Sequence, residues 1–482
     1  MKAFWLRSML VVACAGMLGA CALGPRYARP PVATPAAYKE TGNWKIAQPR
    51  DSEHRGPWWE VFGDPQLNQL VQQVEVSNQD VRAAEARLRQ AEALVEQSRA
   101  GFFPTLTGSA SATRSRTPSV SGSATSSTAP TNVYNIALNA SWAPDLWGSV
   151  RGTVAANVAS AQASAASLAG VRLLAQAQVA INFFQLRVLD TQRQLLETTV
   201  SAYQKSLELT RNRYNAGVAA RAEVVLAETQ LRSTQAQLID VGVQRAQFEH
   251  AIAILVGKPP ADFSLPPAAL SIGIPALPPG LPSELLERRP DIAAAERQMA
   301  AANAQIGVAQ AAYFPSLTLT GTLGFRASSP PAWLTAPSRL WSVGPALAET
   351  LFDGGSRRAV KKQAEAAYDA NVAAYRQTVL NAFREVEDNL SALRILEEEA
   401  KAQEDAVRSS RLSTELTVNQ YKAGTVNYLN VVTVQATQLN NEATAVKLLG
   451  QRLVAAVTLV QALGGGWSGL PAGAVPRGAG NP

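Results

Sequence analysis

Two cysteines and two histidines among 482 residues leave little material for a metal centre, a disulfide framework or a histidine-based catalytic triad. His54 and His250 stand alone, far apart and without ligand spacing, so both read as structural. No phosphate-binding loop is present. Past residue 20 there is a single methionine, Met299, so a methionine-lined copper path is not supported. The formal charge of +7 is spread without a basic cluster on one face, and nucleic acid is not an expected partner. Aromatics are only 6 % against 47 % hydrophobic residues, with Ala, Gln and Leu abundant. That balance points away from a sandwich core and towards long, close-packed helices. Together these absences exclude an enzyme as the leading expectation.

The most specific short signal is at the beginning of the sequence. Lys2 and Arg7 precede an apolar run from Met9 to Leu18, about ten residues, which is too short to span a bilayer. It ends in Leu18-Gly19-Ala20-Cys21, small residues before a cysteine, as a lipoprotein signal peptidase requires. Residues 1–20 are expected to be removed and Cys21 to carry covalent lipid. Each buried methylene contributes about 0.8 kcal/mol, so several acyl chains anchor stably. A plain secretion signal with a chance cysteine is the alternative. Ala22 stands where an inner-membrane retention signal usually has Asp, which favours the outer membrane.

The sequence repeats itself. Ala100-Gly-Phe-Phe-Pro-Thr-Leu-Thr107 returns as Ala311-Ala-Tyr-Phe-Pro-Ser-Leu-Thr318, and Asn212, Tyr214 and Gly217 return as Asn419, Tyr421 and Gly424, all about 210 residues later. Six segments follow: a signal peptide over 1–20, an extended lipidated arm over 21–63, repeat 1 over 64–258, a Pro-rich linker over 259–283, repeat 2 over 284–464 and a flexible tail over 465–482. Each repeat predicts the same elements. A helix (about 80–100 and 290–312) leads into Phe-Pro. Two alternating segments come next, then a helical pattern over about 149–215 and 356–422. A glycine turn and a returning helix of about 38 residues close the repeat.

The alternating segments put Leu106, Gly108, Ala110 and Ala112, then Tyr134, Ile136, Leu138, Ala140 and Trp142, on one face. Leu317, Leu319, Leu323 and Phe325, then Trp341, Val343, Pro345 and Leu347, do the same in the second copy. Each is about 10 to 12 residues long, the length of a tilted transmembrane strand, with aromatics near the ends. Four strands cannot close a barrel, and an open edge in lipid strands backbone groups without partners. Several chains must therefore share one barrel. A soluble sheet with a core face is the alternative.

A helix of about 67 residues is about 100 Å long at 1.5 Å per residue. Each returning helix, continued by the other repeat's first helix, would lie alongside it over about 90 Å. The contacts read as coiled coil: Leu196, Val200, Tyr203, Leu207, Thr210 and Tyr214 descend to the turn, and Val224, Ala227, Leu231, Thr234, Leu238, Val241, Phe248 and Ile252 return, interrupted at Arg245. In the second copy Val407, Ser410, Thr414, Thr417 and Tyr421 make a weaker seam. The second hairpin is thus expected to move when a channel opens, and the first to stay.

Further marks are Gly24-Pro25-Arg26-Tyr27, Trp58-Trp59, Asp64-Pro65, Asp145-Leu146-Trp147-Gly148, Arg289-Pro290-Asp291-Ile292, Leu351-Phe352-Asp353-Gly354-Gly355 and Leu463-Gly464-Gly465-Gly466-Trp467. With Cys21 and the two Phe-Pro strand starts, they make the sequence resemble the TolC family of outer-membrane factors over nearly its whole length, specifically the lipoprotein, NodT/OprM-like branch. The resemblance implies a homotrimer with a twelve-stranded transmembrane β-barrel, four strands per chain, continued by an α-helical coiled-coil tunnel in the periplasm. It implies docking on a periplasmic adaptor (a membrane fusion protein) and an inner-membrane resistance-nodulation-division pump. Small molecules would then pass outward passively. The covalent lipid on Cys21 is the only attached group expected.

By the same resemblance the turns are docking tips, carried by Arg213, Tyr214 and Gly217 in the first and by Tyr421, Lys422 and Gly424 in the second. Leu429 matches the apolar position of the family's closed gate. Thr433, one helical turn on, departs from the acidic residue common there. The glycines have a plain structural reason as well, the left-handed position after a helix, and Leu429 has one as a coiled-coil knob. A duct for secreted proteins and a coiled-coil adaptor lipoprotein remain the competing readings. The lipobox weighs against the first, and outward apolar strands weigh against the second.

Overall fold

The computed structural model describes residues 24–32, 34–35, 37–41, 57–116, 129–270, 273–275, 288–467 and 469. The signal segment, Cys21, His54, much of the Pro-rich linker and most of the tail lie outside the described residues. In chain order the main elements are α1 (Pro65–Ser77), α2 (Gln79–Arg99), β1 (Thr105–Ser115), β2 (Thr131–Trp142), α3 (Ser149–Asn215) and α4 (Arg221–Leu255). Then come α5 (Pro290–Ala311), β3 (Ser316–Ala327), β4 (Arg339–Ala348), α6 (Ser356–Lys422) and α7 (Tyr428–Ala462).

The two long helices have 67 residues each and contain no proline, which lets the hydrogen-bond ladder run unbroken. Each starts on a carboxylate from the preceding loop. Asp145 accepts from the backbone N–H of Val150 and Arg151 at 3.0 and 2.9 Å, and Asp353 accepts from those of Gly355 and Arg357 at 2.9 and 3.1 Å. Otherwise unpaired donors of a first turn are satisfied in this way. The Asp in both loop motifs is therefore the cap that converts strand into helix.

The returning helices have 35 residues, slightly fewer than the pattern suggests. Their stacking corrects a second expectation. Each continues into the first helix of its own half, not of the other. The Ser77 hydroxyl donates to the Val256 carbonyl at 2.6 Å and the Asn78 amide to that of Leu255 at 2.8 Å, which seats α2 on the end of α4. Arg289 donates to the Ala462 carbonyl at 2.9 Å, which seats α5 on the end of α7. The physical reason is that each junction uses the side chain at the start of the upper helix to satisfy carbonyls left open at the end of the lower one. Helix α3 packs on α2 and α5 in the half near the strands and on α4 and α7 in the other half. Helix α6 packs on α5 and α7.

Helix α1 is an addition to the expected elements. Asp64 caps it through the N–H of Gln66 and Leu67, Pro65 opens it, and Leu67, Leu70, Val71 and Val74 bury its inner face. It belongs to the main core, a band at mid-length joining Trp59, Phe62, Phe183, Phe184, Ile252, Tyr375, Leu390 and Leu453. Phe62 lies 5.1 Å from Phe184, ring to ring. Arg245, which breaks the coiled-coil register, reaches this level as a charge: it bonds Asp190 at 2.7 Å, Glu249 at 3.1 Å and the Leu265 carbonyl at 2.6 Å. The interruption fastens the start of the Pro-rich segment to the helices.

The four strands form one antiparallel sheet in the order β1-β2-β3-β4. The register brings the apolar residues of all four strands to one face. Ala110 pairs with Ile136, Ile136 with Phe325, Leu138 with Leu323 and Leu323 with Trp341. Leu106, Leu138, Leu323, Trp341, Val343 and Leu347 are exposed there. The opposite face carries Thr105, Thr107, Asn139 and Thr322, and the Thr322 hydroxyl donates to the Asn139 side chain across strands at 3.0 Å.

The described arm residues, 24–32, 34–35 and 37–41, lie along α5 and α6. The Asn303 amide donates to the Pro25 carbonyl at 2.9 Å, and Tyr27 donates to Glu296 at 2.5 Å. Arg29 donates to the Tyr375 hydroxyl at 2.9 Å, and Arg394 donates to Glu40 at 2.8 Å. Burial and the hydrogen bond to Glu296 push the Tyr27 hydroxyl well up. The arm runs from the strand end of the helices towards mid-length, with Gly24 against Gly307, so close that a Cβ on Gly24 would sit 3.0 Å from the Gly307 Cα.

Candidate functional site

The far ends of the hairpins lie together, away from the sheet. At the first turn the N–H of Ala216, Gly217 and Val218 donate to the carbonyls of Asn212, Tyr214 and Arg213 at 2.9 to 3.0 Å. At the second, Ala423, Gly424 and Thr425 donate to Asn419, Tyr421 and Gln420 at 3.0 Å. The bonds of each turn require its glycine at a left-handed angle, φ +73° at Gly217 and +81° at Gly424. Side chains with a Cβ pay about 1–2 kcal/mol there. The Asn427 side chain then accepts from the N–H of Asn430 and starts α7.

A small apolar core of its own holds the tips. It contains Tyr203, Leu207, Ala227 and Leu231 from the first hairpin and Tyr421, Tyr428 and Val431 from the second. Tyr421 is the bridge. Its hydroxyl donates to Glu223 at 3.1 Å and lies 3.4 Å from the Thr210 hydroxyl, and its ring meets Tyr428 edge-on at 5.3 Å. The Arg213 guanidinium lies 4.7 Å from the centre of the Tyr421 ring and donates to the Lys422 carbonyl at 3.3 Å. Higher up, Gln230 donates to Gln435 at 3.4 Å, and Gln435 reaches the Ser206 hydroxyl at 3.4 Å. Burial pushes the Tyr428 hydroxyl up to about 12, and burial with the nearby Glu223 charge also raises Tyr421.

The predicted tip residues therefore divide. Arg213, Tyr421, Lys422 and Gly424 come together in one cluster. Tyr421 is only 2 % exposed and supports the surface from behind instead of presenting its ring. Tyr214 is 43 % exposed, so it lies outside the seam to which heptad spacing assigned it and faces solvent with Gly217. At the end of α3 the chain is already turning, and the stripe rotates off the partner helix. Leu429 is 56 % exposed, and the Thr433 hydroxyl donates back to the Leu429 carbonyl at 2.9 Å, which puts the two one turn apart on an uncovered face of α7. Glu223 and Tyr428 were not among the expected site residues, and Thr210 was expected only as a seam residue of α3. Of the first two, only Tyr428, an aromatic in the first turn of an apolar helix, carried a visible signal.

No group of three or more His, Cys, Asp or Glu suited to a metal ion occurs among the described residues. What this end offers is a paired set of helical turns, an exposed apolar side chain and a hydroxyl one turn above it. That arrangement suits docking and passage rather than bond-making.

Similarity to known proteins agrees with the geometry. A family profile described as "Outer membrane efflux protein" matches residues 70–258 and again residues 281–465. The chain is 30 % identical over 467 residues to the pyoverdine export outer membrane protein OpmQ of Pseudomonas aeruginosa, covering 96 % of this chain and 97 % of that protein. It is 32 % identical over 465 residues to the solvent efflux pump outer membrane protein SrpC of Pseudomonas putida, covering 94 % and 97 %. Among solved structures, the outer-membrane channel OprN superposes with a TM-score of 0.86 at 32 % identity, covering 93 % of this chain and all of that one.

Proposed function

Because the chain belongs to the outer membrane efflux protein family, and is an outer-membrane efflux channel and not an enzyme, we propose that three copies close one twelve-stranded barrel above a shared helical tunnel. The observation that carries this reading is the sheet. One face is continuously apolar across four strands, as a lipid-facing surface requires. Strands β1 and β4 are its open edges. In lipid those edges need partners, and β1 of one copy beside β4 of the next supplies them while giving a barrel large enough for a water-filled bore. The helices, about 100 Å long, would then extend into the periplasm.

The finer assignments belong to the same proposal. The chain is a lipoprotein of the NodT/OprM-like branch, divided as its two repeats predict. Gly24 is held beside Gly307, close to the point where α5 gives way to β3. Three residues of chain reach at most about 11 Å, so lipid on Cys21 falls at the inner surface of the outer membrane. The hairpin tips, with Arg213, Tyr214, Gly217, Lys422 and Gly424 at the surface and Tyr421 beneath, meet a periplasmic adaptor that links the duct to an inner-membrane resistance-nodulation-division pump. Leu429 is the steric gate and Thr433 lies just above it. The cargo is a small molecule, in line with the pyoverdine and solvent that OpmQ and SrpC export. The mass of the purified lipidated protein tests the assembly. Three copies are expected, and a single copy that inserts and conducts would overturn it.

A further inference from the structure

Helix α7 has an unusual distribution of charge. Its only acidic residue in 35 is Glu442, and Glu442 points away from the face that carries Leu429 and Thr433. The Glu442 side chain is 11 % exposed and accepts from Arg411 at 2.6 Å and from Gln438 at 3.1 Å, on the side packed towards α6. The uncovered face runs upward from Leu429 through Thr433, Thr437 and Asn440 to Lys447, all exposed. Between Leu429 and Lys447, a length of about 27 Å, the exposed side chains of α7 are hydroxyl or amide apart from Ala436. The threonines are neutral and spend their protons locally: Thr433 donates to the Leu429 carbonyl and Thr437 to that of Thr433, each at 2.9 Å.

We propose that Thr433, with Asn440 and Lys447 above it, makes the constriction of this duct neutral to weakly basic, so that it passes uncharged and anionic solutes at least as readily as cations. The inference rests on the reading of Leu429 as the gate of a trimeric channel. In a narrow pore the charges of the lining decide which ion enters, because low-dielectric walls strengthen each charge and symmetry multiplies it by the number of copies. Three carboxylates at this level would repel anions. Three hydroxyls do not, and three ammonium groups a few turns above draw anions inward. The cargo class that fits is neutral or negatively charged small molecules.

The test is the reversal potential of the full-length lipidated protein in planar bilayers under a potassium chloride gradient. The expected permeability ratio of potassium to chloride is at or below unity. Thr433→Asp should shift it several-fold towards cations, and Lys447→Gln should shift it the same way by less. Asn440→Asp, on the same exposed face, gives an independent shift if Thr433→Asp assembles poorly. Strong cation selectivity in the natural protein, or a reversal potential unmoved by both aspartates, would overturn the proposal. No conductance at all from assembled protein would overturn the channel reading and this inference with it.

Discussion

The two hairpins have helices of equal length and end at the same place, yet different chemistry closes them. The first buries Leu196, Tyr203 and Leu207 from α3 against Ala227, Leu231 and Val241 from α4. In the second, α6 buries only Ser410 between Leu393 and Tyr421, and α7 buries nothing between Gln435 and Leu448. Polar bonds take the place of apolar contact. Gln403 donates to the Asn441 carbonyl at 3.0 Å, Arg411 donates to Glu442 at 2.6 Å, and the Thr414 hydroxyl donates to the Val434 carbonyl at 3.2 Å. A buried leucine contributes about 1.5–3 kcal/mol and resists water. An exposed ion pair contributes about 0–1 kcal/mol and exchanges its partners for water at little cost. We therefore expect the first hairpin to stay closed and the second to separate, with the Tyr421 cluster as the clasp between them.

The largest effect should come from the clasp. Tyr421→Ala removes a buried ring shared by both hairpins and is expected to cost about 3–5 kcal/mol of local stability, read as faster amide exchange at both tips. Leu231→Ala should cost about 2–4 kcal/mol and loosen the first hairpin more than the second, which shares the tip core with it. Alkali acts on the clasp by a different route. A buried phenol favours its neutral form, so the contribution of Tyr428 is complete below the ordinary tyrosine value of about 10 and is lost as pH rises through the folded value of about 12. Raised Tyr421 acts in the same sense. Tyrosinate absorbance and tip exchange should therefore rise together in that window, ahead of the mid-length core. The smallest effect belongs to Arg411→Ala, expected at about 0.5–1 kcal/mol in the second hairpin and largely absent in high salt.

Much of this difference was visible in the sequence. The 67-residue helices, four strands and single apolar face follow from proline-free periodicity and strict alternation, signals that persist over many residues. The apolar poverty of Ser410, Thr414 and Thr417 was equally plain. The partners that replace it were not, because Asn441 and Glu442 lie about 30 to 40 residues away and polar pairing leaves no period. Helix α1 was legible in Asp64-Pro65 and the Leu67, Leu70, Val71, Val74 stripe, but its shortness and the break at Asn78 hid it. The stacking of α2 on α4 depends on Ser77 and Asn78 meeting carbonyls about 180 residues later in the chain, which periodicity does not encode.

Export is expected to require the second hairpin to separate from the first. Gln230→Cys with Gln435→Cys, whose native amides meet at 3.4 Å, allows the two hairpins to be joined by a short thiol crosslinker. Arg211→Cys with Glu228→Cys, a pair 3.8 Å apart, joins only the two helices of the first hairpin and serves as the control. Efflux should be measured in cells carrying each pair, before and after crosslinking. The first crosslink is expected to stop export and the control to leave it intact. Full export with the first crosslink shown to be closed would contradict the account.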